Sequence, residues 1–325
     1  MTDTLFSTIK DESTPVEPFF LVGAERSGTT LMGLILDHHP HIYCPYESDY
    51  LIEYLGENGG EPSPVVLQNL LSKDRIARLD GFSIREGQSY KEAARSFLRE
   101  GAEASGKPLP GAIIHSHLPL LLKVWPQAKI LHLIRDPRDV APSVVTMGWA
   151  GNPWHGAQPW LRSFKEAAVL LEQVPAKRKM RLTFEDLVTD PQDALTQVCD
   201  FLGTSFDPAM LCYPELPNYG PPDASAASRW KTRMAPKDIQ LIEACVGESL
   251  EAAGYRLSGQ PLRKIGKLPK MRLRIQNKLG KLRFRIRRHG LMTVLSYAVN
   301  ERLRRHAAAN RLLRKMQDTD QALLR

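Results

Sequence analysis

The chain has 325 residues, 42% of them hydrophobic and 25% charged, with a net charge of +8. That length and balance fit a soluble globular protein with one large domain and an appendage, and they exclude a disordered or fibrous chain. No apolar run approaches the roughly 20 residues of a membrane span, and the polar opening stretch MTDTLFSTIKDESTPVEP lacks an apolar signal core, so residues 1–17 read as a flexible leader and the expected location is cytoplasmic.

The net charge hides an asymmetry. Residues 263–325 hold 19 Lys and Arg against 3 Asp and Glu, or +16, whereas the preceding residues hold 25 against 33, or −8. The expected division is therefore a main domain over 18–260 and a basic helical tail over 261–325, and any polyanion partner concerns the tail alone. The four cysteines, Cys44, Cys199, Cys212 and Cys245, show no CxxC spacing and read as reduced thiols.

Taken in order, Phe19 to Val22 predicts a buried strand. Gly23-Ala24-Glu25-Arg26-Ser27-Gly28-Thr29-Thr30 then turns onto a helix beginning near Leu31. A glycine-containing loop before a helix N-terminus aims backbone N–H groups at an anion, and Arg26 adds a charged fork of donors. Thr29 stands where a nucleotide triphosphate loop carries its lysine, so the loop suits one terminal phosphate, with no metal. His38, His39 and His41 flank Pro40 at the end of that helix, where histidine caps are common, and they are not read as a metal site.

Residues 50–104 read as helices interrupted at GENGGEPSP, and Ser105 to Gly111 as a turn. Ala112 to His115 predicts a short strand, Leu118 to Trp125 a helix, and Lys129 to Ile134 another buried strand. Alternating strands and helices predict an α/β fold, a parallel sheet with helices on both faces. Its ligands belong beyond the carboxyl ends of the strands, which collects the loops after Val22, His115 and Ile134. The third of these reads Arg135-Asp136-Pro137-Arg138-Asp139, and a helix starting near Arg138 would return Ser143, eight residues after Arg135, to the same edge. Trp149, Trp154, Trp160 and His155 read as packing of a long loop or as an acceptor pocket. Amphipathic helices are expected over Asp193 to Phe201 and Asp238 to Ala253.

The two loops together resemble those of sulfotransferases that use 3′-phosphoadenosine 5′-phosphosulfate (PAPS). Arg26, Ser27, Gly28, Thr29 and Thr30 are similar to the family's 5′-phosphosulfate loop, and Arg135 with Ser143 to its 3′-phosphate pair. Thr183-Phe184-Glu185-Asp186-Leu187 resembles the family's Tyr-Glu-Asp-Leu strand end, with Phe184 in place of tyrosine. Asp200-Phe201-Leu202-Gly203 resembles the following helix, and Ser228-Arg229-Trp230-Lys231 the segment that closes over the nucleotide. The likeness runs from about Phe19 to Tyr255 and is nearest the protein-tyrosine and bacterial branches.

What the resemblance implies is a P-loop-like sulfotransferase fold and transfer of a sulfuryl group from PAPS to a hydroxyl on a carbohydrate, lipid, peptide tyrosine or small alcohol. Such a transfer is an in-line displacement run by positioning and electrostatics. It needs a base for the acceptor hydroxyl and positive charge at the leaving oxygen. Glu47 matches the base of the tyrosine-sulfating branch, and His117, in Ser116-His117-Leu118-Pro119, resembles the base of the cytosolic branch. The chain departs from the family at the strand-end lysine, where it has His115. His115 itself, Lys107 from the preceding turn, or Arg26 alone could meet the leaving group.

The tail lies outside the resemblance. Ile275, Leu279, Leu282 and Ile286 recur at helical spacing among Lys and Arg, which predicts a basic amphipathic helix ended by Gly290, with a second helix over Leu291 to Met316. A hairpin packed on the acidic domain and attachment to an anionic membrane surface both fit. The expected mixture is a packed second helix and a partly free first one. Nucleic acid is disfavoured, because only Phe284 and Tyr297 interleave the charges.

Overall fold

The computed structural model describes residues 16–45, 47–213, 220–261 and 265–321. Strand β1 (Phe19–Val22) leads into helix α1 (Thr29–Asp37) and the short β2 (Ile42–Tyr43). Helices α2 (Pro64–Lys73), α3 (Arg75–Leu79) and α4 (Tyr90–Ser105) precede β3 (Leu109–Ile114). A single helical turn, Leu118–Leu120, runs into α5 (Leu121–Val124), then β4 (Lys129–Ile134), α6 (Pro137–Thr146), α7 (Pro153–Gly156) and α8 (Gln158–Gln173). After β5 (Lys179–Thr183) come α9 (Phe184–Thr189), α10 (Pro191–Leu202), α11 (Trp230–Arg233), α12 (Pro236–Val246) and α13 (Ser249–Ala252).

All five strands are parallel, in the order β2-β3-β1-β4-β5. The apolar runs of the inner strands β1, β3 and β4 are buried on both faces, as a parallel sheet demands. Alternation along β1 divides the core: Phe20 and Val22 pack with Tyr50, Leu98 and Leu170 on one side, while Phe19 and Leu21 pack with Met32, Ile35, Leu133 and Val198 on the other. From β1 the chain passes to β2 at one edge, returns through β3 beside β1 and crosses to β4 on the other flank, so the strand order reverses at β1. Its last residue, Val22, is in register with Ile114 of β3 and His132 of β4. The loops after β1, β3 and β4 therefore converge at one sheet edge, the place where such sheets bind ligands.

Several boundaries differ from the sequence reading. β3 begins at Leu109, inside the stretch expected to be a turn, because Leu109 and Pro110 pair with β2. The helix expected over Leu118 to Trp125 is present to within a residue, its tight first turn running directly into α5, and His117 before it holds a left-handed backbone (φ 57°). The helix expected over Asp238 to Ala253 breaks at Gly247.

The tail is helical but packs differently from the expectation. Helices α14 (Lys267–His289), α15 (Leu291–Arg302) and α16 (His306–Gln321) replace the expected pair, the second having split near Arg304, whose φ is 53°. α14 is docked on the main domain. The Asn277 Oδ1 accepts from the Gly151 N–H at 2.7 Å, and the Asn152 amide donates to the Leu273 carbonyl at 2.7 Å. A Cβ at Gly280 would sit 2.6 Å from the Gly151 Cα, so this close approach of backbones depends on glycine. α15 and α16 pack on one another, and Val294 of α15 and Met316 of α16 are buried.

Leu21 has no exposed surface at the centre of β1. Leu21→Ala should lower the unfolding free energy by about 2–5 kcal/mol, the cost of a core truncation that leaves a cavity. Urea denaturation checks it, and a loss below about 1 kcal/mol would mean that this face is not packed as described.

Candidate active site

The loop after β1 is shaped by two left-handed residues, Arg26 (φ 69°) and Gly28 (φ 94°). The first is uncommon for a residue with a Cβ and stores of order 1–3 kcal/mol of strain. Ser27 N–H closes the turn onto the Ala24 carbonyl at 3.1 Å. No side chain caps the start of α1, so its first N–H groups stay available. Gly28 is required for a second reason, since a Cβ there would run into the ring of Phe184.

A cleft of about 900 Å³ opens over this loop, lined by Arg26, Thr29, Thr30, Glu47, Arg135, Ser143, Phe184 and Arg229 among others. The structure brings the two expected phosphate loops together: Arg26 Nε donates to Ser143 Oγ at 3.0 Å. α6 achieves this because Asp136 caps it, accepting from the Arg138 N–H at 2.9 Å, and Pro137 fixes its first turn.

Arg135 stacks 4.0 Å over the Phe184 ring and donates to the Ala226 carbonyl at 3.1 Å. Among the described residues its Nε is buried without a partner, and so is the Ser27 Oγ. Burial pushes the Arg135 guanidinium below its usual range, against the attraction of Asp139 and Glu185. The unsatisfied donor on Arg135, which lines the cleft, is what an anionic ligand would satisfy, whereas Ser27 is fully buried and lies outside the lining. The neighbouring Arg138 is already committed, to Asp136 at 2.7 Å, to Glu243 at 2.8 Å and to the face of Trp230.

Glu47 and His115 form a pair at the end of β3. Glu47 is bridged to Ile113, and Ser48 N–H donates to the Ile113 carbonyl at 2.9 Å, so the segment extends the sheet edge. Glu47 Oε1 accepts from the Thr30 hydroxyl at 3.1 Å and lies 3.4 Å from His115 Nε2. The other ring nitrogen of His115 lies 2.9 Å from the Gly23 carbonyl, which can only accept. Burial opposes charge on His115, but Glu47, Asp49 and that carbonyl outweigh it and raise its pKa to about 9. Burial likewise opposes charge on Glu47, and His115, Thr30 and Arg26 outweigh it, holding the carboxyl below its usual range. At neutral pH the pair is an imidazolium facing a carboxylate.

Other expected residues fall elsewhere. Lys107 lies at the opposite end of the sheet, before β3, bonded to the Asp37 carbonyl and 3.2 Å from its carboxylate. The length of β3, about 20 Å, separates it from the catalytic edge, so it does not reach a leaving group there. His117 is exposed, bonded at 3.2 Å to Ser116 Oγ, and is not among the cleft-lining side chains. Ser228 also lies outside the lining, whereas Arg229 is in it, 3.5 Å from Asp223. Among the aromatic residues, Trp149 lines the cleft, while Trp160 is buried, stacked on Phe164 and donating to the Arg135 carbonyl at 2.9 Å. His39 is occupied by the Ser205 carbonyl at 2.9 Å and by the His41 N–H at 3.0 Å. Among the described residues no cluster of three or more His, Cys, Asp and Glu is arranged to hold a metal ion.

Sequence reasoning missed Asp49, whose Oδ1 accepts from the His115 N–H, the Ser116 N–H and the Ser116 hydroxyl at 2.9–3.0 Å. Its only signal was its place two residues beyond Glu47. It also missed Phe184 as a platform, although the departure from tyrosine marked the position.

A profile of the sulfotransferase family matches residues 18–208, more than half of the chain. The protein-tyrosine sulfotransferase of Drosophila melanogaster is 24% identical over 268 residues, 73% of this chain and 51% of its own. Protein-tyrosine sulfotransferase 2 of Gallus gallus is 26% identical over 212 residues, 61% of this chain and 54% of its own. The chain thus spans about half the length of the curated relatives it matches. Among solved structures, the sulfotransferase domain from the curacin biosynthetic pathway shares the fold, with a TM-score of 0.55 at 22% identity over 75% of this chain and 99% of that one.

The His115 pair has a pH signature. Its folded value, about 9, lies above the ordinary 6.5, so its stabilisation is complete below about pH 6.5 and is lost as pH rises through 9. The difference in melting temperature between wild type and His115→Gln, followed from roughly pH 6 to 10, should be largest at the acid end and shrink above 9. A difference that stays flat would mean that the pair is not ionised.

Proposed function

Because the chain belongs to the sulfotransferase family, we propose that it moves the sulfuryl group of PAPS to a hydroxyl acceptor by in-line displacement. The observation that carries this is the convergence of two arginine-bearing loops on one cleft, with a buried donor of Arg135 left without a partner. Arg26, Ser27, Gly28, Thr29 and Thr30, at the start of α1, would hold the 5′-phosphosulfate. Arg135 and Ser143 would hold the 3′-phosphate, with Arg229 at the cleft wall and Ser228 beside it.

The chemistry follows from charge. The acceptor oxygen attacks sulfur, the bond from sulfur to the bridging phosphate oxygen breaks, and 3′,5′-adenosine bisphosphate leaves. Glu47 takes the acceptor's proton and later passes it to solvent. It is ionised at neutral pH and so ready to accept, and its pairing with His115 keeps it placed while lowering its basicity. Charge gathering on the leaving oxygen meets Arg26 and the N–H groups at the α1 N-terminus. His115 is a positioning residue: its cation replaces a strand-end lysine in the local charge balance and acts through Glu47. The named relatives act on protein tyrosine, and a phenolic hydroxyl, more acidic than an alcohol, matches a base of lowered pKa. A peptide tyrosine is therefore the favoured acceptor among the carbohydrate, lipid and small-alcohol alternatives.

Calorimetric titration tests the nucleotide. The chain should bind 3′,5′-adenosine bisphosphate in preference to ADP and ATP, and Arg135→Ala should weaken that binding by about 1.5–3 kcal/mol, the scale of a charged hydrogen bond. Binding of 5′-AMP should change much less. Equal losses for both nucleotides would remove Arg135 from the 3′-phosphate, and preference for ATP would favour a kinase.

The base is tested by transfer from labelled PAPS to a panel of tyrosine peptides and alcohols. Glu47→Gln should cost roughly 10²–10⁴ in turnover with nucleotide affinity retained, and His117→Ala should stay close to wild type. The reverse ranking would make His117 the base.

A further inference from the structure

α14 carries two apolar faces. Leu273, Gly280 and Phe284 lie on the docked side. Leu268, Met271, Ile275, Leu279 and Leu282 recur at three- and four-residue spacing on the opposite side, about half a turn of the helix away. They are 46–75% exposed. Helical spacing puts Arg272 and Arg283 along one border of this outward stripe and Lys278 and Arg285 along the other. In α15, Met292, Leu295 and Val299 repeat the pattern, also about half exposed or more. A helix resting on a domain normally turns a polar face to water, and a contiguous apolar stripe in that place marks a contact surface.

Charge identifies the occupant. α14 holds ten Lys and Arg and no Asp or Glu. A second copy meeting it stripe to stripe would bring two such helices together, and that repulsion opposes a dimer. An anionic bilayer surface satisfies the apolar stripe and its cationic borders at once. No described helix is long and apolar enough to cross a membrane, so the seating is in the interface.

We propose that the outward face of α14 and α15 docks the protein on an anionic lipid surface. The proposal goes beyond the transfer reading and needs neither nucleotide nor acceptor, so its failure would leave that reading standing.

Flotation of the intact chain with phosphatidylcholine vesicles, with and without phosphatidylglycerol, tests it. The chain should float only with the anionic vesicles and should be released as salt is raised, since surface charge is screened. The double variant Leu279→Gln, Leu282→Gln should partition at least roughly ten-fold more weakly with an unchanged melting temperature, because both side chains are exposed. Arg283→Glu with Arg285→Glu should abolish flotation. Failure to float with anionic vesicles at low salt, or equal flotation of the Gln variant, overturns the proposal. So does a wild-type dimer in sedimentation that the same Gln variant converts to monomer, which would make the stripe a self-interface.

Discussion

The ring of Phe184 is the contact on which the cleft depends. One side of it receives Gly28, where any Cβ would collide with the ring, and the Arg135 guanidinium lies 4.0 Å over it. A single side chain at the start of α9 thereby sets the spacing between the loop after β1 and the loop after β4. Arg135 is buried with one nitrogen unpaired, a state that an aromatic face makes cheaper by offering its negative quadrupole. The same stacking removes rotamer freedom that ligand binding would otherwise have to remove, so the arginine is held before any anion arrives. A tyrosine would present the same face, and its hydroxyl is not what this contact uses.

A second constraint is electrostatic. His115 is buried where the family resemblance expects a lysine, and it is charged only because Glu47 and Asp49 face it. Only His115 is buried, Glu47 being partly exposed, so removing Glu47 would leave a buried charge uncompensated whereas removing His115 would leave a carboxylate open to solvent. Glu47 and His115 are therefore coupled: each sets the other's protonation. A lysine would hold its charge without help and could extend to the leaving oxygen. The imidazole is shorter, held through one ring nitrogen by the Gly23 carbonyl and facing Glu47 with the other, and it is not among the cleft-lining side chains, so positive charge within the cleft comes from arginines such as Arg26, Arg135 and Arg229.

Much of this was legible in the sequence because it is local. The apolar run before Gly23 makes β1, the Asp-Pro-Arg start makes a capped α6, and the eight-residue step from Arg135 returns Ser143 to the edge by helix geometry alone. The parallel sheet followed from alternation of strands and helices. What was hidden is set by long-range packing. Lys107 is close to β3 in sequence, but the pleated length of the strand puts it at the wrong end. His117 lies two residues from His115, yet its left-handed backbone (φ 57°) leaves it exposed and outside the cleft lining. Asp49 has no motif of its own, and its role exists only because the edge segment after Glu47 runs beside β3.

The tail shows the same limit from the other direction. One helical period of Ile275, Leu279 and Leu282 with basic neighbours reads as a helix with one apolar face, expected to be partly free. The structure uses a different set for packing. Leu273, Asn277, Gly280 and Phe284 meet the 148–152 loop, through glycine contacts that carry no hydropathy signal at all. The apolar face that the sequence advertises is the one left over. The loop on which α14 rests also lines the cleft through Trp149, with Pro153 just beyond it. The bond from the Gly151 N–H to the Asn277 Oδ1 thus ties α14 to the loop that forms one wall of the cleft. α14, a helix with no acidic residue, is held against the domain by two side-chain amides, a glycine crossing and Lys270 over the Trp154 ring. Arg272, Lys278, Arg283 and Arg285 border its outward apolar stripe.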